Sequence, residues 1–193
     1  MVVAITVVIT VSKNKEQAQG GQLRVFFAVW LDADTLTTVE AVQSRLLDIS
    51  GGRLIVPETI HLTLSFVGDI MPERLDELVA IGNQIRLPPF QFCINKISCS
   101  ETSRVAWASS KQVPEALMNL QSTLDSLVVK AGFPLDLRPF RPHITLLRNL
   151  PHPFTTMSTQ DFIWPITAFS LVEARKNSGG APYEILQVWP LLG

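Results

Sequence analysis

The sequence predicts an α+β fold, mostly antiparallel sheet with helices packed outside it. Short apolar, β-branched and aromatic runs alternate with stretches whose apolar residues recur at helical spacing. Their order is strand, helix, strands, helix, strands, helix, strands, without the long strand–helix–strand rhythm of a parallel sheet. In addition, a strand-like tetrapeptide occurs twice, His-Leu-Thr-Leu at 61–64 and His-Ile-Thr-Leu at 143–146.

Each element has a local reason. Leu23–Trp30 is an apolar run of strand type. Asp32 or Asp34 is placed to cap the helix that follows, where Leu36, Val39, Val42, Leu46 and Leu47 fall near helical spacing and Gly51-Gly52 ends the pattern. Leu54–Val56 and His61–Val67 read as strand, interrupted by Pro57 and closed by Gly68-Asp69. Pro72 suits the first position of a second helix, striped by Leu75, Leu78, Val79 and Ile85 and stopped by Pro88-Pro89. Phe90–Ile97 and Arg104–Ala108 read as paired strands around a polar turn. A third helix opens at Pro114, runs through Leu117, Leu120, Leu124, Leu127 and Val128, and ends at Gly132. His143–Leu147, Asp161–Ala174 and Tyr183–Trp189 complete the strands, the last two joined by the turn formers Asn177-Ser178-Gly179-Gly180.

Composition bounds the function. With 47% hydrophobic and 17% charged residues, the 193-residue chain has the material for a sizeable core and is not a disordered chain. A net charge of −1 gives no global basic field, so any contact with nucleic acid is expected to be local, to an end or a few nucleotides. Cys93 and Cys99 form no C-x-x-C motif and no zinc set; their even spacing predicts one face of a strand and a core role, and their free thiols fit a cytoplasmic setting. Met1–Val11 is apolar but far short of the roughly 20 residues that span a bilayer, and it lacks a basic flank, so no membrane anchor is expected. Residues 1–22 are read as an N-terminal extension, an extra strand or a loosely held tail, and residues 23–193 as the working domain.

The repeated tetrapeptide carries the chemistry. Alternation along a strand puts His61, Thr63 and Ser65 on one face and Leu62, Leu64 and Phe66 on the other; His143 and Thr145 likewise oppose Ile144 and Leu146. Two such strands side by side would bring two imidazoles and two hydroxyls to one cleft. That set suits a phosphate, with imidazoles for proton transfer and hydroxyls for its oxygens. The chain has three histidines, and the third, His152 in Pro151-His152-Pro153, has no echo and reads as a loop residue.

These residues resemble the bacterial and archaeal RNA 2′,3′-cyclic phosphodiesterases, also called 2′-5′ RNA ligases, of the two-histidine phosphoesterase superfamily. The resemblance rests on Leu23–Val29 as an opening strand, on Val56-Pro57-Glu58-Thr59-Ile60-His61-Leu62-Thr63-Leu64-Ser65-Phe66-Val67-Gly68-Asp69, and on Arg138-Pro139-Phe140-Arg141-Pro142-His143-Ile144-Thr145-Leu146-Leu147-Arg148. The ending Gly179–Leu186 and Val188–Leu191 fits as well, so the match runs from about residue 23 to the C-terminus. Val67, where leucine is more usual, and Ala174, where serine is frequent, are departures that leave the chemistry untouched.

The resemblance implies a bilobal arrangement, two related halves that each give one His-x-Thr strand to a central cleft. It implies His61 as proton donor to the leaving 3′ oxygen and His143 as proton acceptor from water, with a 2′-phosphate product and a reverse reaction forming a 2′-5′ linkage. From chemistry alone the two roles are interchangeable. Thr63 and Thr145 are the expected phosphate-binding hydroxyls. Arg148, five residues after His143, would face away on a regular strand, and only the resemblance supports it as a phosphate contact; Arg141 is a weaker candidate. Phe66 and Tyr183 could stack on a base, although strand aromatics more often belong to a core. No cofactor and no metal are expected, and the implied partners are RNA ends with 2′,3′-cyclic phosphate, including tRNA fragments, met by a monomeric enzyme. The rival readings are a cyclic phosphodiesterase for a small nucleotide or ADP-ribose derivative, and a non-catalytic module that binds RNA ends.

Overall fold

The computed structural model describes residues 21–135, 138–175 and 182–192. The expected extension, but for its last two residues, and the loop at Asn177–Gly180 lie outside the described residues. Strand β1 (Leu23–Trp30) leads into helix α1 (Ala33–Ser50). Asp32 caps that helix, its Oδ1 accepting from the backbone N–H groups of Asp34 at 3.1 Å and Thr35 at 3.0 Å. The helix ends at Gly51 with φ +61°, and Gly52 follows with φ +106°. A Cβ on Gly52 would stand 2.9 Å from the Arg148 carbonyl oxygen, so glycine lets the chain pass beneath that strand.

The short strand β2 (Arg53–Leu54) and a 3₁₀ turn at Pro57–Thr59 precede β3 (His61–Ile70), which continues two residues past the glycine expected to close it. A second 3₁₀ turn at Pro72–Arg74 opens α2 (Leu75–Gly82). This helix stops well before Pro88-Pro89 and leaves Ile85 outside. Packing sets the stop. The Trp189 ring lies against Gly82, where a Cβ would be 2.3 Å from Cζ2, and the indole N–H donates to Asn83 Oδ1 at 2.7 Å. Then come β4 (Phe90–Ser100), β5 (Val105–Ser109), α3 (Glu115–Lys130), β6 (His143–Arg148), β7 (Met157–Ile166), β8 (Ala168–Ala174) and β9 (Tyr183–Pro190).

The strands form two antiparallel sheets, ordered β3-β1-β8-β9 and β2-β6-β5-β4-β7. The two lobes are interleaved along the chain. β2 joins the second sheet although it lies between β1 and β3. The run expected as one strand, Asp161–Ala174, is two: the chain leaves the second sheet at Ile166 and enters the first at Ala168. Alternating burial cannot reveal such a crossing, because both strands are apolar on their inner faces. Helix α1 packs on β6 and β7, α3 on β3 and β4, and α2 on α3 and β8, so the helices cover the outer faces of the sheets. Trp164, Phe27, Phe92 and Phe169 are among the fully buried side chains of the core they enclose.

The expectation for the cysteines is corrected. The β4–β7 register is irregular between Ile94 and Lys96, where β7 carries two extra residues. The buried row of β4 passes from Phe92 and Ile94 to Ile97, so strand parity changes between Cys93 and Cys99. Cys99 packs against the core, whereas Cys93 lies on the outer face with its thiol 3.7 Å from Asp161 Oδ2. Both are half-buried and free. Among the described residues, no helix is long and apolar enough to cross a membrane.

Candidate active site

The motif strands β3 and β6 belong to different sheets and lie against each other. His61, Thr63, His143, Thr145 and Arg148 line one cleft of about 430 Å³ between them. The same local device builds each half. In the first, Trp30 pairs with His61, Ala28 with Thr63, Phe27 with Ser65 and Phe26 with Phe66. In the second, Ser109 pairs with His143, Trp107 with Thr145, Ala106 with Leu147 and Val105 with Arg148. Both motif strands therefore carry an extra residue three positions after the histidine, Leu64 and Leu146, and β3 carries a second at Val67.

The bulge answers the question of spacing. Leu64 and Ser65 are both buried, as are Leu146 and Leu147, so parity flips and the fifth residue after each histidine returns to the face of that histidine. Arg148 consequently joins His143 and Thr145, and Phe66 emerges 49% exposed. The bulge in β6 is anchored. The Leu146 carbonyl accepts from the Ile55 N–H at 3.0 Å and from Nε2 of buried Gln43 at 2.8 Å. Nε2 of Gln43 also donates to the Ile55 carbonyl at 3.0 Å, tying α1 and the segment after β2 to the motif strand.

The two imidazoles are oriented alike. His61 Nδ1 lies 2.8 Å from the Thr59 carbonyl oxygen, and His143 Nδ1 lies 2.7 Å from that of Arg141. A carbonyl only accepts, so Nδ1 carries hydrogen in both rings and Nε2 is the nitrogen left for proton transfer. The acceptor stands two residues before each histidine, and Ile60 or Pro142 between them holds the extended backbone that makes this closure.

Residues 29–107 and 108–153 match the model of a family described as LigT like phosphoesterase. The chain belongs to this family. It is 31% identical over 170 residues to a protein of Escherichia coli, covering 87% of this chain and 96% of that one, and 26% identical over 181 residues to one of Thermus thermophilus, covering 89% and 91%. Both relatives are named RNA 2′,3′-cyclic phosphodiesterase. Among solved structures, E. coli LigT in apo form is similar with a TM-score of 0.80 at 29% identity, covering 90% of this chain and 99% of that chain. E. coli LigT complexed with 3′-AMP gives the same TM-score and identity, covering 89% and 99%. The α+β class and the two-lobed arrangement agree with these structures.

Within this LigT-like site the environments of the histidines differ. The His61 ring is half-buried among Phe26, Trp30 and Tyr183, with centroids 5.1, 5.2 and 5.2 Å away. Burial holds its pKa below the ordinary histidine value; the hydrogen bond to Thr59 opposes this, and the charge of His143 adds a further push downward. His143 is exposed, edge-on to Trp107 at 6.3 Å.

Other lining residues were not foreseen. Arg53 pairs in register with Arg148 and joins it in the cleft, with Leu54, Val56 and Thr59 along the rim. Leu54–Val56 reads as strand from the sequence, but so short a run has no periodicity to show which side chains face the cleft. Tyr183 lines the cleft, whereas Arg141 contributes its carbonyl to His143 and its side chain to neighbouring grooves. His152 is an exposed loop residue whose N–H donates to the Ser50 carbonyl at 3.3 Å; it is not in the cleft. Among the described residues, no group of three or more His, Cys, Asp or Glu side chains could hold a metal ion.

Proposed function

We propose that this chain is an RNA 2′,3′-cyclic phosphodiesterase that opens the cyclic end by acid–base catalysis between His61 and His143. One observation carries the reading: two imidazoles on opposing strands, each fixed through Nδ1 to the carbonyl two residues before it, share a cleft with two threonines and an arginine. A phosphate held by the Thr63 and Thr145 hydroxyls and the Arg148 guanidinium has an imidazole on either side. His143 Nε2 takes a proton from water as its oxygen attacks phosphorus. The bond from phosphorus to O3′ breaks, and His61 Nε2 delivers a proton to that oxygen, leaving the phosphate on O2′. Run backward with a 5′-hydroxyl in place of water, the same transfers form a 2′-5′ linkage.

The donor role requires a protonated His61, and burial of the ring works against that form. A bound phosphate anion acts in the opposite sense, because a negative charge beside the ring favours imidazolium. Incubation of the protein with an oligoribonucleotide ending in 2′,3′-cyclic phosphate, in excess chelator, tests the reading. Conversion to a phosphomonoester is expected; loss of activity in chelator, restored by one divalent ion, would move the chemistry to another class.

A further inference from the structure

A second groove of about 680 Å³ leaves the catalytic cleft, sharing His143, Thr145 and Arg148 with it and running across the sheet to Lys96. Register defines its floor. Lys96, Ser109 and His143 form one row across β4, β5 and β6, and Ser98, Trp107 and Thr145 form the next. Neighbouring strands lie about 4.8 Å apart, so Lys96 stands two spacings, about 10 Å, from His143. That distance is the rise of roughly three stacked nucleotides at about 3.4 Å each.

The lining chemistry selects a ligand. Lys96 is half-buried, has no ion-pair partner among the described residues, and no carboxylate lines the groove. Trp107 lines the groove between this cation and the catalytic threonine, flanked by serine hydroxyls. A cation, an aromatic face and hydroxyls in line suit single-stranded nucleic acid, which offers a phosphate and a base at each step. A free cyclic nucleotide would be accommodated by the first cleft and would leave Lys96 unmatched. A third groove, past Thr63 toward Arg138, includes Asp125 and is less suited to a polyanion.

On the functional reading above, we propose that the RNA chain upstream of the cyclic end lies along β4–β6, stacking a base on Trp107 and setting a backbone phosphate against Lys96. The substrate class is then an RNA end several nucleotides long. Turnover of a ten-nucleotide RNA ending in 2′,3′-cyclic phosphate is to be compared with turnover of 2′,3′-cyclic AMP, in the wild type, Lys96→Ala and Lys96→Arg. Lys96→Ala is expected to lower kcat/KM for the decamer several-fold, to flatten its salt dependence by about 0.7 in logarithmic slope, and to leave cyclic AMP unchanged; Lys96→Arg restores the decamer. Equal losses on both substrates, or none on the decamer, overturn the proposal. Binding separates this inference from the reading it rests on. A fluorescent decamer ending in 2′-phosphate, followed by anisotropy, should bind roughly tenfold more weakly to Trp107→Leu than to Trp107→Phe, whether or not the wild type turns over substrate. Equal binding by the two variants overturns the groove assignment.

Discussion

Arg148 and Phe66 occupy equivalent places on the two motif strands. Each lies five residues after its histidine, each follows a bulge at the third, and each pairs with a strand residue four positions before the partner of that histidine. Arg148 lines the cleft beside His143 and Thr145, whereas Phe66 lines the neighbouring groove past Thr63. On the proposed function, a phosphate in the cleft meets its cations, Arg148 and Arg53, on the β2–β6 side, and this asymmetry orients it. Replacing Arg148 by alanine is expected to lower kcat/KM by about ten- to a hundredfold, the worth of a hydrogen bond to a charged group. Phe66→Ala should cost far less, and steady-state kinetics on one cyclic substrate compares the two directly.

Removing either imidazole should stop the chemistry without unfolding the protein. His61→Ala and His143→Ala are each expected to lose about 10²–10⁴ in turnover, with circular dichroism and thermal midpoint close to the parent. Near-full activity in either variant would take that histidine out of the mechanism.

Gln43 lies outside the cleft but holds the bulge that aims Arg148. Gln43→Leu leaves the buried carbonyl of Leu146 and the half-buried carbonyl of Ile55 short of a donor, and is expected to cost about 1–3 kcal/mol of stability together with a loss of activity. Arg148→Ala should lose activity alone. Denaturant unfolding beside kinetics separates the two.

The pH dependence follows from the direction of the His61 shift. Its pKa in the free protein lies below the ordinary 6.5, and the donor must be protonated. The competent fraction therefore shrinks as pH rises through that lowered value, so kcat/KM should fall on the alkaline side from below pH 6.5. Bound phosphate raises the pKa, so the corresponding limb of kcat should lie at higher pH. NMR titration of His61 with and without a bound nucleotide monophosphate checks both limbs. A kcat/KM that instead rises as His61 loses its proton exchanges the two roles.

Much of this was legible in the chain itself. The order of elements, the caps at Asp32 and Gly51, and the polar face of each motif strand follow from local patterns that tertiary packing did not override. What local pattern could not supply was parity. Arg148 reads as facing away because the bulge in β6 is one uncounted residue held by distant Gln43. The cysteines read as facing together because the irregular β4–β7 register is likewise set by the partner strand. The crossing near Thr167 and the early end of α2 at Gly82 were hidden for the same reason, since sheet partners and the Trp189 ring decide them. The carbonyls of Thr59 and Arg141 are backbone atoms, invisible to any reading of side chains.

Phosphorus NMR of the opened product tests the central claim most directly, because it reports both that the cyclic phosphate opens and which bond breaks. With an oligoribonucleotide 2′,3′-cyclic phosphate as substrate, the account predicts a single 2′-phosphomonoester, absent with His61→Ala or His143→Ala. A 3′-phosphomonoester would contradict the assigned proton roles, and an intact cyclic phosphate after prolonged incubation would contradict the function itself.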